Sequence, residues 1–253
     1  MSKLKHFLVK TWVFIVFIAF WQLMVSLKIW SPILIATPIN TLTDFKIMLL
    51  NGQLQIHILA SLSRIFYGMF WGVGLGLIFG LLLGIFPFFK KQLELILSLL
   101  YSVPPLAWVP FLIISFGIGE TTKVFLIFIA FFIVLSLHTW EGVLQTNQKH
   151  LNLGHLLEKN NLDKILHIWL PSSLPHILSG LRIATYSAWS VLITSEIIAS
   201  SSGLGFLLWT SRQFSRADDM MVAVVTIGIL GFFSDWLIIQ VQQKLLHWQE
   251  KSL

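Results

Sequence analysis

Two carboxylates stand inside otherwise uncharged apolar stretches, Glu196 within residues 183–211 and Asp235 within 220–243. An ionised side chain in hydrocarbon is costly, so such acids face a bundle interior and either carry function or sit in an ion pair. Two acids on separate segments could relay protons, and the residues alone leave both readings open. The other chemistry-bearing types do not assemble into a centre. The histidines His6, His57, His138, His150, His155, His167, His176 and His247 show no H-x-x-x-H spacing with a nearby acid, so no metal site is expected. There is no cysteine, which excludes thiolate chemistry and disulfides. No nucleophile motif accompanies a histidine. No Gly-Lys dipeptide occurs, so the chain lacks the loop that cradles ATP phosphates. No catalytic residue and no bound cofactor are expected, and any use of ATP and Mg would belong to another chain.

The elements that hold these residues read as membrane spans. The 253 residues are 56% hydrophobic and only 11% charged, with a mean hydropathy of +0.83. Soluble domains carry about 25% charged residues. A spanning helix needs about 20 mainly apolar residues. Six stretches approach that length: 11–27, 65–89, 95–119, 121–140, 176–200 and 220–243. The first follows Lys3, Lys5 and Lys10, and no small-x-small cleavage site follows Leu27, so it reads as an uncleaved anchor. An even count puts both termini on one side. Lys28, Lys46, Arg64, Lys123, Arg212 and Arg216 then lie outside and the other eleven of the 17 basic residues inside, which favours cytoplasmic termini. The net charge of +6 is a topology signal rather than a nucleic-acid footprint. The connections 28–64 and 141–175 are long. No linker or low-complexity run interrupts the chain, so 1–253 reads as one domain.

Three patterns add detail. Gly68, Gly72, Gly76, Gly80 and Gly84 recur every fourth residue, which puts small residues on one helix face for close helix packing. Pro104, Pro105 and Pro110 interrupt the third span around Trp108. Each lacks an N–H and must kink or break the helix. Irregular backbone at membrane depth survives only against protein or a water-filled path, so the segment is either a plain kink or a lining of such a path. In the inner loop, Leu162, Ile165, Leu166 and Trp169 follow the i, i+3, i+4, i+7 pattern of one apolar helix face. That face would lie on lipid or dock into a protein groove.

The order of these features resembles the permease subunits of type I ABC importers, in the branch for sulfonates, nitrate, taurine and thiamine-precursor pyrimidines. The resemblance runs from about Trp21 to Trp248. It rests on Ser31-Pro32 through Pro38, Ser61-Leu62-Ser63-Arg64 with the glycine stripe, and Val103 to Pro110. It continues with Phe116-Gly117-Ile118-Gly119-Glu120, Leu170-Pro171-Ser172-Ser173-Leu174-Pro175, Gly180-Leu181-Arg182, Glu196 and Gly203-Leu204-Gly205. The family's coupling motif ends here as Ile168-Trp169-Leu170-Pro171, but Glu158 stands where the family has glycine. Glu158 adopts a left-handed turn less readily than glycine.

The resemblance implies an all-α, six-span permease with a cytoplasmic coupling helix, in a bacterial inner membrane. It implies a second permease copy, a cytoplasmic ATPase subunit carrying ATP and Mg, and an external substrate-binding protein. Under it, Glu158, Leu162, Ile165, Leu166, Trp169 and Pro171 form the coupling surface. Pro104, Pro105, Trp108, Ser190, Thr194 and Glu196 are the expected pathway residues. The competing expectation is a transporter or channel working without ATP, which would show inverted repeats or several buried charges. No clear repeat is present.

Overall fold

The computed structural model describes residues 3–31, 33–146, 151 and 160–247. The described residues are helical, with no strand among them. In order they form α1 (Lys3–Ser26), α2 (Pro38–Leu50), α3 (Gln53–Ile85), α4 (Pro87–Ser102), a 3₁₀ turn at Pro105–Trp108, α5 (Val109–Phe116) and α6 (Glu120–Leu144). Then come α7 (Asn161–Lys164), a π turn at Ile165–Trp169, α8 (Leu170–Ala199), α9 (Leu204–Gln213) and α10 (Ala217–Leu245).

Four helices are long and apolar enough to cross a membrane: Gln53–Ile85, Glu120–Leu144, Leu162–Ile198 and Ala217–Leu245. The pair Pro87–Ser102 and Pro105–Phe116 adds a fifth if counted together, and Trp12–Ser26 is a shorter apolar helix. Several expected boundaries move. The span expected from 65 begins at Gln53, and the one expected from 176 begins at Leu170. The span expected at 65–89 ends at Ile85, because Phe86 precedes Pro87 and a residue before proline is pushed out of the helical region. The span expected at 95–119 is not one rod. Val103 is extended, Pro104 and Pro105 lack N–H donors, and the two arms meet at 96°.

The described chain forms two compact units, Met1–Ser61 with Ser200–Ile229, and Leu62–Ala199 with Leu230–Leu253. In the first unit, Thr37 caps α2 by accepting the Asn40 N–H at 3.1 Å, with Pro38 in the first turn, where no donor is missed. The Trp21 indole N–H of α1 donates to the Ala36 carbonyl at 3.0 Å. α9 has no cap of its own. Gly203 precedes it at φ 119°, a region that favours glycine. Its first N–H groups are satisfied from α3: Gly203 donates to His57 Nδ1 at 3.1 Å and Leu204 to Ser61 Oγ at 2.9 Å.

In the second unit α6 is the centre. Leu126, Ile127, Phe131 and Leu135 on it are fully buried. The glycine face of α3 lies directly on α6. A Cβ at Gly68, Gly72, Gly76, Gly80 or Gly84 would sit 2.5–2.9 Å from Ile127, Phe131, Leu135, Ser136 or Val143 respectively, closer than any real Cβ contact. Gly74, off that face, meets nothing within 4 Å. α8 crosses α6 in the same manner, with Gly142 against Ser173 and Gly180 against His138. These two contacts carry no repeat spacing, so the sequence pattern does not announce them.

Candidate functional site

The expected pathway residues separate into three places in the second unit. Pro104, Pro105 and Trp108 stand at the 96° bend between α4 and α5. Pro105 lines a cavity of about 160 Å³ with Tyr101 of α4, Ile133 of α6, and Ile183 and Ser187 of α8. Trp108 is half-buried against Leu112, Leu126 and Val191, and its indole nitrogen is buried without a hydrogen-bond acceptor. Ser190 and Thr194 lie one turn apart on the open face of α8, with the Thr194 hydroxyl donating to the Ser190 carbonyl at 3.0 Å.

Glu196 is elsewhere. It is fully buried, and Arg64 Nη1 of α3 donates to its Oε1 at 2.6 Å. Arg64 also grips Glu120 at the start of α6 in a two-pronged pair, Nε to Oε2 at 2.6 Å and Nη2 to Oε1 at 2.7 Å. Lys123 donates to Glu120 Oε1 at 2.7 Å. Two cations and two anions thus tie α3, α6 and α8 at one level. The planar fork of arginine suits this bridging role. Arg64 and Lys123 read as loop charges in the sequence; both are buried here. The signal available was four opposite charges at the edges of three apolar stretches, but nothing local shows which meet.

Asp235 is also paired. Arg182 of α8 donates Nε to Oδ1 at 2.7 Å and Nη2 to Oδ2 at 3.0 Å. This pair is open to the surroundings, at 37% exposure for the Arg182 side chain and 16% for Asp235. Tyr186 adjoins both partners and is exposed.

The expected coupling helix departs from regular α-geometry. α7 is a single turn, and it runs into the π turn, where the Leu170 N–H reaches back five residues to the Ile165 carbonyl. Pro171 offers no N–H to a carbonyl four residues earlier, and a wider turn accommodates that loss. The four apolar residues therefore do not share one face equally. Leu162 and Leu166 are exposed, while Ile165, Trp169 and Pro171 are half-buried. Glu158 lies outside the described residues.

The first unit holds a polar cleft of about 470 Å³ with Asn40, Asp44, Arg216, Asp218 and Asp219 on its wall. Burial, followed by the nearby Asp218 and Asp219 carboxylates, pushes the Asp44 carboxyl up, against a lowering from Arg216.

Residues 72–247 match the family described as binding-protein-dependent transport system inner membrane component. Among relatives, SsuC of Bacillus subtilis, named for aliphatic sulfonate transport, is 33% identical over 238 residues, covering 92% of this chain and 85% of the relative. The taurine transport system permease protein TauC of Escherichia coli is 31% identical over 238 residues, covering 92% and 86%. The described fold is similar to a chain of the inward-facing MetNI methionine ABC transporter. The TM-score is 0.65 at 15% identity, over 77% of this chain and 98% of that one.

Proposed function

The chain belongs to the family of binding-protein-dependent transport system inner membrane components, and from that premise we propose how it works as the membrane-spanning permease subunit of an ABC importer. It is not an enzyme; ATP hydrolysis belongs to a separate subunit. The match over residues 72–247 carries this reading. The Gly-Lys-free sequence agrees with it, since the chain has no phosphate loop of its own.

The whole chain forms one permease domain of six spans, with both termini in the cytoplasm of a bacterial cell. α1 supplies the first span, and the bent α4–α5 pair supplies the third. Two copies pair across the membrane, two ATPase subunits dock beneath them with ATP and Mg, and an external binding protein delivers the solute. The solute is small, of the sulfonate, taurine, nitrate or pyrimidine type, as the relatives' names suggest. Leu162 and Leu166 are the exposed apolar groups that enter an ATPase groove, next to Glu158, Ile165, Trp169 and Pro171. Such docking follows the helix-in-groove mode, with anchors one turn apart. ATP binding favours one orientation of the permease pair and hydrolysis restores the other. The driving force is the difference in ATP affinity between the two states. The bend at Pro104 and Pro105 and the face carrying Ser190 and Thr194 line the route. Glu196 holds the helices beside it.

The test is reconstitution with the ATPase subunit and the binding protein. Binding protein loaded with solute should stimulate ATP hydrolysis, and Leu162→Ala with Leu166→Ala should abolish the stimulation while leaving membrane insertion intact. Stimulation unchanged in that variant would remove the coupling assignment.

A further inference from the structure

The break at Val103–Pro105 leaves two arms with separate anchors. In α4, Leu97 packs with Leu83 of α3 and with Ile133 and Trp140 of α6. In α5, Leu112 packs with Leu126 of α6 and Val191 of α8. The backbone bonds beside the break each close within one arm. The Val103 N–H donates to the Leu100 carbonyl at 3.2 Å, and the Ala107 N–H to the Pro104 carbonyl at 2.9 Å. Pro104 and Pro105 have no N–H to give back to α4. The arms are joined through the 3₁₀ turn Pro105–Trp108. Such a turn inside a helical run is held by poorer hydrogen bonds than an α-helix and often marks a hinge.

Two features beside this turn are incomplete. The cavity of about 160 Å³ lies against Pro105, with Ala130 and Ile133 of α6 and Ile183 and Ser187 of α8 on its wall. Interiors are close-packed, and voids larger than a water molecule are few. Trp108, which ends the turn, has its indole nitrogen buried with no acceptor among the described residues. A buried donor left without a partner is costly. Trp108 packs in the cluster that holds Val191. Ser187 stands four residues before Val191, so it lies one turn away on the same face of α8, and it lines the cavity. Its hydroxyl oxygen can accept an N–H. The missing acceptor and the empty space are therefore in the same direction from Trp108.

We propose that the 3₁₀ turn Pro105–Trp108 is a moving part of the transport cycle. In the second state it shifts by one helical turn, about 5.4 Å, into the cavity, and the Trp108 indole N–H donates to the Ser187 hydroxyl. This rests on the importer reading and goes beyond the lining role given to the bend, since it assigns part of the change of orientation to one turn of chain. Trp108 and Ser187 act as positioning residues, and neither has to touch the solute. The shift fills the void and satisfies the indole together. Packed elements that pass one another by a whole turn have two discrete seats rather than a continuous range.

The test uses the reconstituted permease–ATPase complex with loaded binding protein, and reads thermal unfolding and solute uptake for every variant. Ala130→Val fills the cavity from α6. It should leave the unfolding temperature unchanged or raised, because the space is free in the described state. It should slow uptake about tenfold, because the added methyl groups overpack the second state. Trp108→Phe keeps a ring and removes the N–H, and Ser187→Ala removes the acceptor. Each should slow uptake without lowering the unfolding temperature. The double variant should be no slower than the slower single one, as for two halves of one bond. Uptake unchanged by Ala130→Val overturns the moving turn. So does a lower unfolding temperature in both Ala130→Val and Ile183→Phe, which fills the same space from α8, because no spare room then exists. Losses that add in the double variant overturn the bond to Ser187. A parent complex that takes up solute without ATP overturns the importer reading, and the comparison of parent with variants still decides the turn.

Discussion

The two charge clusters of the second unit contain similar groups and do opposite things. Around Glu196, two cations and two anions consume one another across α3, α6 and α8, and Arg64, Lys123 and Glu196 are buried. Around Asp235, one pair is gripped just as tightly but stays open beside a line of hydroxyls. Burial of the inner pair separates them. Arg64 and Glu196 are buried, although Glu120 at the rim of their cluster is 63% exposed. The buried Arg64–Glu196 pair can only hold helices, because a solute has no approach to it. The Arg182–Asp235 pair is partly covered on both sides. The sequence marks Glu196 and Asp235 alike, as lone acids in apolar stretches, and the difference lies wholly in which face of each helix is covered.

The largest effect should come from breaking the buried Arg64–Glu196 pair. Arg64→Met takes from Glu196 and Glu120 their shared partner, and breaking a buried pair costs about 3–5 kcal/mol. Thermal unfolding of the purified protein in detergent should fall steeply. Glu196→Gln keeps an acceptor for Arg64 and should cost clearly less. Equal losses would mean that the charge of Glu196, and not the hydrogen bond alone, carries the pair. Next comes the helix contact that carries the cluster. Gly72→Val pushes methyl groups into the Phe131 region and should cost about 1–3 kcal/mol by overpacking. Gly74→Ala, with open space around it, should leave stability unchanged or raise it by up to about 1 kcal/mol through helix propensity. Breaking the open pair should matter far less to stability. Asp235→Asn is expected to lower thermal unfolding in detergent by less than Arg64→Met does, because both partners of this pair keep partial exposure. A loss as large as that of Arg64→Met would erase the contrast between the two clusters. The smallest stability effect belongs to Leu162→Ala and Leu166→Ala, within about 0.5 kcal/mol for exposed positions, with ATP-coupled transport lost.

Much of this architecture is legible without coordinates. The four-residue glycine repeat has a single physical use, close packing of a helix face, and α3 applies it from Gly68 to Gly84 against α6. Proline chemistry announces the break at 103–110 but not its 96° angle, which depends on what α4 and α5 pack against. The apolar pattern at 162–169 presumes 3.6 residues per turn. The backbone runs through a π turn at Ile165–Trp169 just before Pro171, and the anticipated face splits into exposed Leu162 and Leu166 and half-covered Ile165 and Trp169. Charge pairing is the least legible. Arg64 and Glu196 are 132 positions apart, and only the three-dimensional crossing of α3 and α8 joins them. Arg182 and Asp235 meet for the same reason. Tyr186, which adjoins both, lies one turn beyond Arg182 on α8.

The central claim is that this chain is the passive half of an ATP-driven importer. The most direct measurement is purification of the tagged chain after co-expression with a neighbouring ATPase gene, followed by ATP hydrolysis in liposomes with the binding protein added. A stoichiometric ATPase whose hydrolysis rises with loaded binding protein is the predicted result. A chain that purifies alone and moves solute across liposomes without ATP would contradict the account.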